Sequence, residues 1–344
     1  MRIGMIGLGR IGHLHAANLT ALARDPARPG GSVVEEVLLH SPEPGQADAV
    51  AAELGAPTRA VDTVDELMTQ VDGVVVAAPT PYHPELIRRA VDAGIPTLCE
   101  KPAAMELDVL QALCDDVELA GVPVMIGFQR RYDHAYQRMA AAVHGGALGT
   151  VFTLRAVAHD RVPPPPEFVP TSGGVWRDLL VHEFDAMHWI TGQRVTEVYA
   201  SGSVFLDPVY ERCGDADTAA VTLRFAGGAL GVVTGQRANG QGYDCRLEVH
   251  GERGSRSTGL DPRTPLASLE RDGPNPAAPY QGFDERFAAA YRSEVEHFCR
   301  VVRGAAANLS PPRAGVHSAQ IALACARSFA QHRPVTVDEA GNVS

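Results

Sequence analysis

Asp178, His182 and Asp185 stand at i, i+4 and i+7 in the otherwise apolar stretch 175–192. At 3.6 residues per turn these three side chains share one face of a helix, while Leu179, Leu180, Val181, Phe184, Met187 and Ile190 cover much of the rest. Buried polar groups cost free energy unless they are paired or used. An imidazole beside carboxylates is an acid–base set; the plain alternative is a core histidine bonded to its neighbour. A second candidate is Lys101, in Cys99-Glu100-Lys101-Pro102 directly after a predicted strand over 96–99. An ammonium held there would polarise a substrate oxygen and favour its alkoxide-like form, whereas the competing reading is a solvated Glu-Lys turn.

A third group binds rather than reacts. Gly7-Leu8-Gly9-Arg10-Ile11-Gly12 follows a predicted strand over 1–6 and opens a helix. In that context the glycines have separate jobs: a tight turn, close backbone approach to a pyrophosphate, and packing of helix on strand. The helix N-terminus adds free N–H groups and the positive end of its dipole. Dinucleotide contacts are therefore expected from Gly7, Gly9, Arg10, Ile11 and Gly12. Pro79 and His83, after the next predicted strand, are expected to border the nicotinamide or its ribose, with His83 as a helix-start packing residue the alternative. Glu100 is included with them. At the end of the second strand NAD enzymes usually carry Asp or Glu, but this chain has His40-Ser41-Pro42-Glu43. With Ser41 there a 2'-phosphate is not repelled, yet no Arg follows to clamp one, so NAD and NADP both stay open.

These groups need a frame. Over 1–126, short apolar runs at 1–6, 33–39, 71–78, 96–99 and 123–126 alternate with helical patterns to about 23 and over 48–54, 84–93 and 108–120. That β-α-β-α order reads as an α/β, doubly wound parallel sheet of Rossmann type. From 127 to 344 the grammar changes. After a helix over 134–144, strand-like runs at 150–158, 195–205, 218–225, 229–236 and 245–250 are joined by turns such as Ala226-Gly227-Gly228, which predicts an α+β domain with a large, mostly antiparallel open sheet. Two helices over 283–303 and 313–331 close the chain. The prolines at 163–166 mark a stiff loop over 162–172, and 272–279 reads as another loop.

The 344 residues are 45% hydrophobic with a net charge of −11, which suits a two-domain globular protein and argues against a nucleic-acid surface. Six cysteines form no C-x-x-C and no close pair, so neither zinc nor a disulfide framework is suggested, and a reducing cytoplasm is expected. No apolar run reaches transmembrane length.

Gly7 to Gly12, Glu100-Lys101-Pro102, Gly127-Phe128-Gln129-Arg130-Arg131-Tyr132-Asp133, and Gly173-Gly174-Val175-Trp176-Arg177-Asp178 with His182 and Asp185 together resemble the Gfo/Idh/MocA oxidoreductase family. The likeness runs in order as far as Arg333-Pro334-Val335, and is greatest to the branch acting on inositol. It implies a Rossmann domain, a C-terminal domain whose open sheet often mediates homo-oligomers (dimers or tetramers), and a catalytic Lys101, Asp178 and His182. It further implies substrate hydroxyls bound by Arg131, Asp160 and Asp185, and hydride transfer from a secondary alcohol of a cyclic polyol to nicotinamide C4. The absence of the second-strand acid is a departure, as is Pro311-Pro312-Arg313, where an acidic residue is common and which carries no functional meaning here. Rival readings are a sugar, aldose or sugar-phosphate dehydrogenase with Arg131 clamping phosphate, a ketone reductase, and a non-catalytic dinucleotide-binding regulator. A metal on Asp178, His182 and Asp185 is disfavoured by the Lys ammonium expected in the same site, so no metal is expected.

Overall fold

The computed structural model describes residues 1–24 and 33–344. The chain begins with β1 (Arg2–Ile6), α1 (Arg10–Ala23), β2 (Glu36–His40), α2 (Gln46–Leu54), β3 (Thr58–Ala60), α3 (Val64–Met68), β4 (Gly73–Val76), α4 (His83–Asp92), β5 (Thr97–Glu100), α5 (Leu107–Ala120) and β6 (Val124–Gly127). All six strands pair in parallel, in the order β3-β2-β1-β4-β5-β6. β4 and β6 are buried along their whole length, as strands covered on both faces must be, hence their near-continuous apolar sequence. The strand order reverses between β1 and β4, and the loops after β1, β4, β5 and β6 all leave from the carboxyl edge, where such sheets take their ligands.

There follow α6 (His134–His144), β7 (Val151–His159), α7 (Gly174–Asp178), α8 (Val181–Thr191), β8 (Val195–Ser203), α9 (Pro208–Arg212), β9 (Thr218–Phe225), β10 (Leu230–Gln236), β11 (Asp244–Gly251), β12 (Gly254–Thr258), α10 (Phe283–Arg286), α11 (Ala288–Val302), α12 (Pro312–Gln331) and β13 (Val335–Thr336). The second sheet has the order β12-β11-β7-β10-β9-β8-β13. Every pairing in it is antiparallel except that of β7 with β10. Strict alternation along β9 shows one face packed and one open. Across the open face Tyr199, Thr222, Val232 and Arg155 form one cross-strand row.

The chain divides into two compact units, residues 1–132 with 289–316 and residues 133–288 with 317–344. A single division near 126 thus misses a return of the chain. The reason is the apolar face of α11: Val295, Phe298 and Cys299 join Ile3, Met5, Leu39, Val75, Leu98 and Met125 in one core. Burying side chains of this size contributes about 1.5–3 kcal/mol for each of Val295 and Phe298.

The single helix expected over 175–192 is two. The N–H of Leu180 donates to the Val175 carbonyl five residues back at 2.9 Å, and Leu179 donates to the same oxygen at 3.2 Å. This wide turn inserts a residue into the helical phase, so Asp178 ends α7 while His182 and Asp185 belong to α8.

In the second unit the His317 ring is fixed in its neutral form. Its Nε2 accepts the Val195 N–H at 2.8 Å, and its Nδ1 lies 3.2 Å from the amide oxygen of Gln320. Burial, and then the neighbouring His188, lower its pKa to about 4. Protonation therefore favours the unfolded chain. Full stability is expected above the ordinary histidine value of about 6.5, with about 3 kcal/mol lost as pH falls from there to about 4. Urea midpoints measured across this range should fall with acidity more steeply in the wild type than in His317→Gln.

Candidate active site

The loop after β1 is shaped by missing side chains. Gly7 has φ +89°, and a Cβ there would lie 2.6 Å from the Ala78 backbone nitrogen; at Gly12 it would lie 1.9 Å from the Gly7 carbonyl oxygen. Neither atom can move aside. Gly12→Ala is accordingly expected to cost about 1–3 kcal/mol through overpacking, seen as a lower thermal midpoint and a lost cofactor affinity. Gly9 differs: its Cβ would meet only open space, it precedes α1 without a side-chain cap, and the first turn of α1 carries no acid. Open approach to uncapped N–H groups fits a dinucleotide pyrophosphate. Arg10 is exposed and Ile11 half-buried at the same helix start.

At the end of β2 the Ser41 hydroxyl donates to the side chain of Gln46 and accepts the Glu43 N–H at 3.2 Å, which leaves Glu43 as the exposed carboxylate of that loop. After β4, Pro79 is exposed. His83 is not: its ring is 1% exposed, with Nε2 2.7 Å from the Ala78 carbonyl and Nδ1 2.8 Å from the Pro102 carbonyl. Both nitrogens face backbone carbonyls, which favours the packing alternative and ties the β4 loop to the turn that carries Lys101. The Lys101-Pro102 peptide is cis. Glu100 also points inward, 2.7 Å from His15 Nε2, and its second oxygen accepts the Lys101 N–H at 3.2 Å. Past β6, Arg131 is buried and donates to the Leu309 carbonyl at 2.8 Å, with its guanidinium carbon 5.6 Å from the centre of the Phe128 ring.

In the second unit the cluster centres on a residue that sequence reading missed. Arg237, 3% exposed just past β10, donates to Asp178 at 2.8 Å and lies 3.5 Å from Asp160, which follows β7. Burial opposes its charge, but Asp178, Asp160 and Asp215 more than offset this and raise its pKa. Asp215, itself pushed up mainly by burial, accepts the Val175 N–H at 2.8 Å and so fixes the start of α7, the helix that ends in Asp178. His182 is half-buried in the first turn of α8, and Asp185 is buried one turn on. Two of the four expected residues for substrate and catalysis in this unit, Asp160 and Asp178, are thus drawn together by one guanidinium. Such an arrangement holds carboxylates ionised and oriented as hydrogen-bond acceptors.

Residues 1–128 match a family described as oxidoreductases with an NAD-binding Rossmann fold, and residues 136–257 match the Gfo/Idh/MocA C-terminal domain. Myo-inositol dehydrogenase Hyg17 of Streptomyces leeuwenhoekii is 36% identical over 95% of this chain and 95% of its own. The chain is a Gfo/Idh/MocA oxidoreductase. The crystal structure of a myo-inositol dehydrogenase from Corynebacterium glutamicum superposes on this Gfo/Idh/MocA enzyme with a TM-score of 0.85 at 31% identity, covering 98% of this chain and 99% of that one. A myo-inositol dehydrogenase from Lactobacillus casei, solved with NAD(H) and myo-inositol, gives 0.81 at 25% identity, covering 99% and 98%.

Proposed function

We propose that this protein oxidises one secondary hydroxyl of an inositol-like cyclic polyol to the ketone, with NAD as the hydride acceptor. The observation that carries the reading is the full-length likeness to inositol dehydrogenases in a chain that keeps Lys101 at the carboxyl edge and Asp178 on the Arg237 cluster. Bound nicotinamide supplies the C4 position that takes the hydride. His182 accepts the hydroxyl proton, and Lys101 stabilises the developing oxyanion. Asp178 orients the imidazole and stabilises its charged form. Arg131, Asp160 and Asp185 pair with the remaining ring hydroxyls, because an unpaired buried donor costs about 1–3 kcal/mol.

Preference for NAD is supported by the loop after β2, where His40-Ser41-Pro42-Glu43-Pro44-Gly45 offers an exposed carboxylate and no Arg or Lys for a 2'-phosphate. A kcat/KM for NAD at least about tenfold above that for NADP is the expected result, since one misplaced charge contact is worth about 1.4 kcal/mol or more. The reaction is tested by following reduced-nicotinamide absorbance with NAD and NADP against inositols, free aldoses and sugar phosphates. Turnover confined to sugar phosphates would replace this reading with the phosphate-clamp role of Arg131.

A homo-oligomer assembled through the open sheet face is part of the proposal, supported by Tyr199, Leu230 and Val232 standing exposed on it. No helix among the described residues is long and apolar enough to cross a membrane. Cytoplasmic residence is supported by six free cysteines, five of them buried.

A further inference from the structure

Beneath Lys101, in the first unit, lies a cluster that hydride transfer does not use. His15 of α1, Glu100 of β5 and Glu294 of α11 each bring one polar side-chain atom within 4.8 Å of the others. Glu294 is completely buried, and no donor reaches either of its carboxyl oxygens, one of which lies within 4.8 Å of a Glu100 oxygen. Glu100 already has two partners, the imidazole of His15 at 2.7 Å and the backbone N–H of Lys101 at 3.2 Å. It is also boxed in from β6, where a Cβ on Gly127 would lie 3.0 Å from its carboxyl oxygen.

We propose that Glu294 is a neutral carboxylic acid that shares its proton with Glu100 and so positions Glu100, and through it the backbone that aims the Lys101 side chain. A fully buried carboxylate with no cation of its own is expelled or protonated, and two carboxyl groups this close do not both ionise. The surrounding groups agree. His15 faces the cluster from α1, Cys99 and Glu100 from β5 and Tyr291 from α11, while the charges of Arg130 and Arg10 act on Tyr291 and not on Glu294. The one imidazole is already matched to Glu100, with its ring edge-on to Tyr291 at 5.7 Å. Burial first, and the Glu100 charge second, push the Glu294 carboxyl well above the carboxylate range. Glu294 touches no reacting atom in this scheme; it is a positioning residue.

The inference rests on Lys101 acting on the substrate, so the experiment separates the two. Glu294→Gln keeps a neutral hydrogen-bonding side chain of the same shape, and is expected to keep kcat within about threefold, whereas Glu294→Ala should lower kcat by about 10–100-fold at unchanged KM for NAD, the scale of a small misplacement. A difference infrared spectrum of wild type against Glu294→Gln at mildly alkaline pH should show the carbonyl stretch of an un-ionised carboxylic acid. That readout does not depend on activity and tests the proton even if Lys101→Ala retains turnover. Loss of kcat in Glu294→Gln as deep as in Glu294→Ala, absence of the acid band, or one equivalent of a divalent metal retained by the wild type and lost in both variants would each overturn the proposal.

Discussion

Lys101→Ala and His182→Ala are each expected to lower kcat by about 10²–10⁴-fold, the usual worth of a placed acid–base or oxyanion-stabilising group. Affinity for NADH should stay within about threefold in both, because the nucleotide loop is built from the backbone of Gly7, Gly9 and Gly12. The two variants should differ in a second respect. In the proposed mechanism Lys101 would contact oxygen in both ground and transition states, so its loss should raise KM for the polyol as well as lower kcat. In the same mechanism His182 would move a proton only as the hydroxyl is consumed, so its loss should fall mainly on kcat. Steady-state turnover beside a fluorescence titration with NADH separates these effects. Unchanged turnover in both variants would remove the mechanism while leaving the family assignment untouched.

Much of the frame was legible because it rests on local signals. Unbroken apolar runs such as Gly73–Val76 demand cover on both faces, and Gly7 to Gly12 after a strand has few other uses. The short α3 escaped, although Thr63 with Glu66 three residues later carries a capping signature, and the Thr63 hydroxyl does accept the Glu66 N–H at 3.1 Å. Other features were illegible for a physical reason: they depend on pairings distant in sequence. Nothing in 175–192 announces the wide turn at Leu180, since apolar residues cover most of the surface there and leave no narrow stripe whose phase could shift visibly. Likewise Val295 and Phe298 look like any amphipathic face until the core they complete is known. For His83 the residues leave both a cofactor contact and helix-start packing open, because its two carbonyl partners come from separate loops. Arg237 could have been found. Pairing the hairpin about Ala226-Gly227-Gly228 sets Thr218 opposite Gln236, and carrying that register one step further puts Asp217 against Arg237, at the strand ends that border Asp160.

Arg237→Leu should be nearly as damaging as loss of a catalytic group, although Arg237 is assigned no chemistry of its own. Removing it strips the cation from Asp178 and Asp160 and takes away a charge that helps offset the burial of Asp215. Breaking a buried pair from one side costs about 3–5 kcal/mol. Asp178 and Asp160 each retain about a fifth of their exposure, so the lower end of that range applies. A drop in kcat of about 10²-fold is expected from a mis-set Asp178. The acid limb of the pH–rate profile should move upward, since a carboxylate that loses its guanidinium partner takes up a proton more readily. Arg237→Lys, which keeps the charge but not the planar fork, should restore part of the pH behaviour and less of the rate. The decisive comparison is with Asp178→Asn. If Arg237 works through Asp178, the double variant should be little slower than Asp178→Asn alone; if the two losses multiply, Arg237 meets substrate or another group independently. An Arg237→Leu enzyme with wild-type turnover and stability would mean that Asp178 is held by its own helix, whose start Asp215 fixes.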